Sequence, residues 1–115
     1  MIETQLIFPT KVYRSTYEDS LNVQKDIVPY FLSLEEKDKS PVRYSANGYT
    51  SYGVNSDILS LPMLTNLKEY IDETIKKCHE ESRLDGQPKL ESSWFSIMRK
   101  HTYHEEHHHM PSVWS

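Results

Sequence analysis

SSWFSIMRKHTYHEEHHHMPSVWS, residues 92–115, is the stretch on which the fold turns. In its first part Trp94, Ser96 and Met98 alternate with Phe95, Ile97 and Arg99, a period-2 pattern in which Trp, Phe and Ile all favour a strand. A strand is therefore expected over residues 94–99, paired antiparallel with the N-terminal half. Both faces are partly apolar, as suits a strand buried between two layers. A loop over residues 100–102 is expected to lead from it into the histidine segment, where five of the six histidines fall within nine residues: His101, His104, His107, His108 and His109, with Glu105 and Glu106 among them. On a strand, residues i and i+2 face one way, so His107 and His109 should point together from Cα atoms ~7 Å apart, with His108 opposite. Neutral imidazole is the commonest protein metal ligand. The two rings are expected to bring nitrogens within ~4–5 Å of each other, around one divalent ion held at ~2.1 Å per bond.

Upstream of this stretch, Asp85-Gly86-Gln87-Pro88 signals a turn. Before it lies the clearest helix, residues 63–81. Ser60 is a candidate N-cap, Pro62 sits near the first turn, and Leu64, Leu67, Ile71, Ile75 and Cys78 follow at spacings of 3 and 4, so that Leu64, Leu67, Ile71 and Ile75 are expected to be buried. Lys68, Glu69, Asp72, Glu73, Lys76 and Lys77 occupy the other face. An earlier helix, capped by Asp19 or Ser20, should run into the early thirties on a stripe of Leu21, Ile27, Val28, Phe31, Leu32 and Leu34, kinked or divided at Pro29. Residues 35–40, EEKDKS, read as a solvated charge run. Residues 41–57, rich in Tyr, Ser, Gly and Asn, read as irregular chain with short strands. Residues 6–14 read as extended chain that Pro9 confines to an edge or a strand start. The order predicts an α+β fold, two helices packed on a largely antiparallel sheet.

The 115 residues fit one domain or part of one. Apolar residues counted without Tyr and with Gly make up about a third of the chain, below the ~45–50% of ordinary globular domains. A marginal core follows. Thirteen basic against seventeen acidic residues give a net charge of −4, with no basic stripe, so duplex nucleic acid and anionic membranes are not expected as direct partners. Cys78 is the single cysteine, which excludes a disulfide framework and a four-cysteine zinc site. Its place on a helical apolar stripe suits a small buried residue, and nothing supplies the activating partner a nucleophile needs. No signal peptide or membrane-length apolar run is visible, so a soluble, cytoplasmic protein is expected. Tyr13, Tyr44, Tyr49, Tyr52 and Trp94 could line a pocket, although aromatics near strands more often fill the core. Substrate and oligomeric state are not legible.

Several interpretations of the histidine cluster compete. An expression tag would be a longer terminal run, whereas this cluster has a mixed interior and continues into MPSVWS. A solvated polar turn and adventitious metal capture by a His-rich tract both fit composition. A zinc site could use His107, His109 and either Glu105 or His104, which lie on the same i±2 row.

IFPTKVY (7–13), GYTS (48–51), the Trp94 strand, and Tyr103 four residues before His107 in a Tyr-x-x-x-His-x-His element form a wider pattern. Together they resemble the 2-oxoglutarate- and Fe(II)-dependent oxygenases widespread in tailed phages and bacteria. Members of that family open with an LFPTPVY-like stretch, carry a Gly-aromatic-x-Ser element, and show SGVYY six residues beyond the second histidine, where Ser115 stands here. Departures are Lys11 for a common proline, Lys100-His101 for a common glycine-containing turn, and His109 where the wider superfamily has the carboxylate of His-x-Asp. The resemblance implies a double-stranded β-helix (jelly-roll) domain of which residues 1–115 are the N-terminal portion. It also implies Fe(II) bound through His107 and His109, 2-oxoglutarate as co-substrate, and oxidation of an unknown substrate in a cytoplasm, the host's if the source is viral. The distal histidine and the basic anchor for 2-oxoglutarate are then expected downstream of Ser115, so this portion alone should not turn over. A non-enzymatic phage binding or structural module on the same scaffold, and a zinc-binding protein, are the alternatives.

Overall fold

A computed structural model describes residues 1–3, 11–38, 45–46, 48–104, 106–107, 109 and 114. The architecture is α+β. Helix α1 spans Ser20–Lys37, the short strands β1 and β2 are Ser45–Ala46 and Tyr49–Thr50, and two 3-10 turns (Ile58–Ser60 and Pro62–Leu64) lead into α2, Thr65–Glu81. Strands β3 (Ser96–Ile97) and β4 (Tyr103–His104) close the order. The expected strand over residues 6–10 lies outside the described residues, and residues 11–17 form no strand.

The strands pair antiparallel, as expected, but only in two short ribbons, beside which Asp57 and Ser93 form an isolated parallel bridge. β2 pairs with β3 (Tyr49 opposite Ile97, Thr50 opposite Ser96) and β1 with β4 (Ser45 opposite His104, Ala46 opposite Tyr103). Between the two pairings the first side of the ribbon has two residues, 47–48, and the second has five, 98–102. The second side therefore carries three extra residues, an excursion that ends the expected 94–99 strand at Ile97; its regular part begins only at Ser96. The excursion closes on itself: the Thr102 amide donates to the Arg99 carbonyl at 3.0 Å, and the Thr102 hydroxyl accepts from the Arg99 amide at 2.9 Å. His101 adopts φ +66° in the middle of it, at the place where the resembled family carries a glycine-containing turn.

α1 is one uninterrupted helix despite Pro29. The proline deprives the Lys25 carbonyl of its helical donor, but Lys25 and Pro29 line an open surface groove with Leu21, Gln24 and Val28, where water can take the donor's place. The face that packs is Val23, Ile27, Phe31 and Leu34. Leu21, Val28 and Leu32, expected on the buried stripe, are exposed at 72%, 50% and 45%. Asp19 is the N-cap residue, but its carboxylate takes the Asn22 side-chain amide at 2.6 Å rather than a helical N–H. Nor is the 35–40 run wholly solvated. Glu35 accepts both Arg99 guanidinium nitrogens at 2.8 and 2.6 Å, and Asp38 accepts from the Tyr49 hydroxyl at 2.8 Å. The Glu35 hydrogen bond, then its charge, raises the Arg99 pKa, with desolvation acting the other way.

α2 starts two residues later than expected. Ser60 does not cap it; the Ser60 hydroxyl donates to the Asp57 carboxylate at 2.7 Å within the first 3-10 turn, and Leu64 holds the N-cap position. Of the four residues expected to be buried, Leu64 is, at 2% exposure, whereas Leu67, Ile71 and Ile75 are only half-buried. The helix ends in a Schellman motif, with the Leu84 amide on the His79 carbonyl at 3.3 Å and the Arg83 amide on the Glu80 carbonyl at 3.0 Å. Arg83 takes the left-handed position that glycine usually fills, at φ +54°. Tyr49, Ile58, Leu64 and Phe95 form the buried core, against which the packed face of α1, Leu67 and Ile97 lie. Phe31 stacks on Phe95 with centroids 3.9 Å apart and planes within 5°. That core is small, as the apolar content implies.

Candidate metal centre

The histidine segment hangs from a short stretch of backbone pinned on both sides. Ser93 donates its amide to the Ser56 carbonyl at 2.9 Å and accepts the Ile58 amide on its carbonyl and the Leu59 amide on its hydroxyl, both at 3.0 Å. Phe95 exchanges bonds with Ser51: the Ser51 amide donates to the Phe95 carbonyl at 3.0 Å, and the Phe95 amide donates to the Ser51 hydroxyl at 3.1 Å. The same hydroxyl donates to the Asn55 carbonyl at 3.0 Å. Ser51 thus gives the GYTS element a structural meaning, since its buried hydroxyl ties the 51–55 turn to the strand segment.

With Phe95 directed into the core, alternation sends Trp94 to the opposite face. There Trp94 meets Tyr52 edge-on, with centroids 5.0 Å apart and planes at 67°. On its other side it stacks on His109, centroids 5.5 Å apart and planes within 6°. His109 is half-buried; His104 and His107 are exposed. The rings form a chain: His104 lies edge-on to His107 at 5.0 Å between centroids, and His107 lies 4.9 Å from His109. The Nε2 atoms of His107 and His109 are 2.9 Å apart, closer than the sequence spacing alone suggested.

Residues 106, 107 and 109 belong to no strand, since β4 ends at His104. The two rings converge, but from irregular chain rather than along a ladder. Two nitrogens bound at ~2.1 Å and at right angles on one ion would stand about 3.0 Å apart, and at a tetrahedral angle about 3.4 Å. The observed separation therefore suits adjacent corners of an octahedral ion. It also suits one neutral imidazole donating to the other, with opposite tautomers at Nε2. Among the described residues no set of three His, Cys, Asp or Glu side chains is placed to hold an ion together. Glu105 and His108 lie outside the described residues, so the predicted opposite orientation of His108 does too.

A further imidazole, outside the cluster, is the better buried one. His79, at 8% exposure, accepts the Trp114 indole N–H on Nδ1 at 3.3 Å and approaches the Asp85 carbonyl through Nε2 at 3.2 Å. An indole only donates and a carbonyl only accepts, so His79 is the neutral Nε2–H tautomer. Trp114 in turn packs edge-on to Tyr13 at 5.9 Å, and the Tyr13 hydroxyl bonds the Ser82 hydroxyl at 2.8 Å. The spacing that could have revealed His79 is Ile71, Ile75, His79, an i+4 row beside Cys78, which is itself buried.

Among the other aromatics, Tyr49 is core, Trp94 stacks on His109, Tyr52 packs edge-on to Trp94, and Tyr44 lies outside the described residues. No helix among the described residues is long and apolar enough to cross a membrane. Comparison with protein families, curated proteins and solved structures finds no match to the chain.

Proposed function

We propose that the chain carries the N-terminal portion of a 2-oxoglutarate- and Fe(II)-dependent oxygenase domain of the tailed-phage and bacterial type, with a jelly-roll scaffold and His107 and His109 as two iron ligands. The observation that carries this reading is the 2.9 Å convergence of the His107 and His109 Nε2 atoms in a Tyr-x-x-x-His-x-His element. The glycine-like φ of His101, where the family has its glycine-containing turn, supports the same alignment. Bound Fe(II) would supply O₂-dependent oxidation of a substrate coupled to decarboxylation of 2-oxoglutarate. The residues of this chain then have simpler tasks. His107 and His109 offer two neutral nitrogen donors at adjacent corners, leaving the remaining corners to a third side chain and to the co-substrate. Trp94 covers one side of His109, with Tyr52 packed edge-on against Trp94. In this reading the distal histidine and the basic 2-oxoglutarate anchor follow Ser115 in sequence.

One observation favours a second reading. His104 packs edge-on against His107, so a third imidazole adjoins the pair, and a zinc site that recruits it is the second reading. Anaerobic titration with Fe(II) and with Zn(II), each with and without 2-oxoglutarate, separates the two. Oxygenase ancestry predicts that 2-oxoglutarate tightens Fe(II) binding. Tight Zn(II) binding indifferent to 2-oxoglutarate supports the structural site, and no binding of either metal supports a module that uses the scaffold without a metal.

A further inference from the structure

We infer that Trp94 is a positioning residue for His109: its indole, held by the Ser93 and Phe95 backbone bonds and buttressed by Tyr52, fixes the plane of the imidazole that faces the metal. This rests on the proposed metal reading. The rings of Trp94 and His109 are parallel within 6° at a centroid distance of 5.5 Å, an offset stack that resists rotation of the imidazole about its bond to Cβ. The platform is stiffer than the histidine it supports. Ser93 engages three hydrogen bonds to residues 56–59, and Phe95 is stitched to buried Ser51 by two. His109, by contrast, sits in irregular chain, where no ladder fixes its orientation. A ligand in such a segment loses side-chain freedom when it binds, and a neighbour that has already removed that freedom raises affinity without touching the ion. His107 has its own edge-on neighbour, His104, but that residue is exposed, so the stronger constraint falls on His109.

The test uses the chain with Trp114→Phe as background, which leaves Trp94 as the single tryptophan. In the metal-free protein the His109 ring protons should resonate upfield, in the ring current of Trp94, and return towards ordinary positions in Trp94→Leu. Zn(II) affinity should fall about threefold to tenfold in Trp94→Leu, the weight of one aromatic pair, and Trp94→Phe should recover most of it. Trp94 emission should change saturably with Zn(II), and not in His109→Ala. If Trp94→Leu does not fold, Trp94→Phe and Tyr52→Leu still report, the first retaining the upfield shift and the second reducing it. An absent upfield shift overturns the inference, as does Zn(II) affinity unchanged in Trp94→Leu but lost in His109→Ala. A normal upfield shift with no Zn(II) or Fe(II) binding by the unaltered chain overturns the metal reading itself and leaves the stack as packing alone.

Discussion

Replacing Ser51 with alanine tests the structural meaning assigned to the GYTS element. The side chain is 2% exposed, and its oxygen closes two bonds, accepting from the Phe95 amide at 3.1 Å and donating to the Asn55 carbonyl at 3.0 Å. Alanine fits the space, so no cavity or clash complicates the result. What remains is a buried N–H without its acceptor and a partly buried carbonyl short of one donor. The first costs about 1–3 kcal/mol and the second less, for a total of about 2–4 kcal/mol. Domains are stable by only ~5–15 kcal/mol, and the small core here argues for the lower end. Urea unfolding followed by circular dichroism should therefore show a large drop in midpoint at similar slope. Ser56→Ala is the control, because the Ser56 hydroxyl accepts the exposed Gly53 amide, at 3.3 Å; it should change stability by less than about 0.5 kcal/mol. If Ser51→Ala is as mild as Ser56→Ala, the hydroxyl is not what joins the turn to the strand.

Further outcomes follow from single residues. Leu64→Ala should cost about 2–5 kcal/mol because the side chain is fully enclosed, whereas half-buried Ile71→Ala should cost clearly less; equal costs in urea unfolding would contradict the burial pattern along α2. Arg83→Gly and His101→Gly should each raise stability by about 0.5–1 kcal/mol, since both residues hold a positive φ that glycine adopts freely, and a loss at either site would show that its side chain matters more than its backbone. Nitrogen NMR should find His79 protonated at Nε2, and protonation at Nδ1 would rule out the Trp114 contact. The Glu35–Arg99 pair should give a favourable double-mutant coupling that shrinks with added salt. With the Arg99 pKa raised in the folded state, the guanidinium's part of that coupling is fully present below its unfolded value and is lost only as pH climbs through the folded one, so it stays flat across neutral pH.

Periodicity was a good guide wherever one face of an element meets the core. Leu64 and Leu67 were legible because the spacing in α2 selects a face, although Ile71 and Ile75 on the same row are only half-buried; in the strand segment alternation separated two partly apolar faces, and the Phe95/Ile97 face is the one that packs. α1 was read less well: Leu21, Val28 and Leu32 are as apolar as Val23, Ile27 and Phe31, and only the position of Phe95 and Leu64 in space decides which row packs. The loop at 100–102 was legible, but not that it starts as early as Met98, because nothing in Met98-Arg99 breaks the alternation as Gly or Pro would; His101 holds its left-handed turn through the Arg99–Thr102 bonds instead. The histidine pair was legible as two residues of one chemistry at i and i+2. Its neighbours were not, since the Trp94 stack and the His79–Trp114 contact join segments 15 and 35 residues apart, separations on which local sequence is silent.

The central claim is that His107 and His109 bind one metal ion through adjacent nitrogens. Anaerobic Fe(II) titration of the unaltered chain, His107→Ala, His108→Ala and His109→Ala tests it most directly. One equivalent should bind, with affinity lost in His107→Ala and His109→Ala and kept in His108→Ala. Equal affinity in all four proteins, or loss in His108→Ala alone, would contradict it.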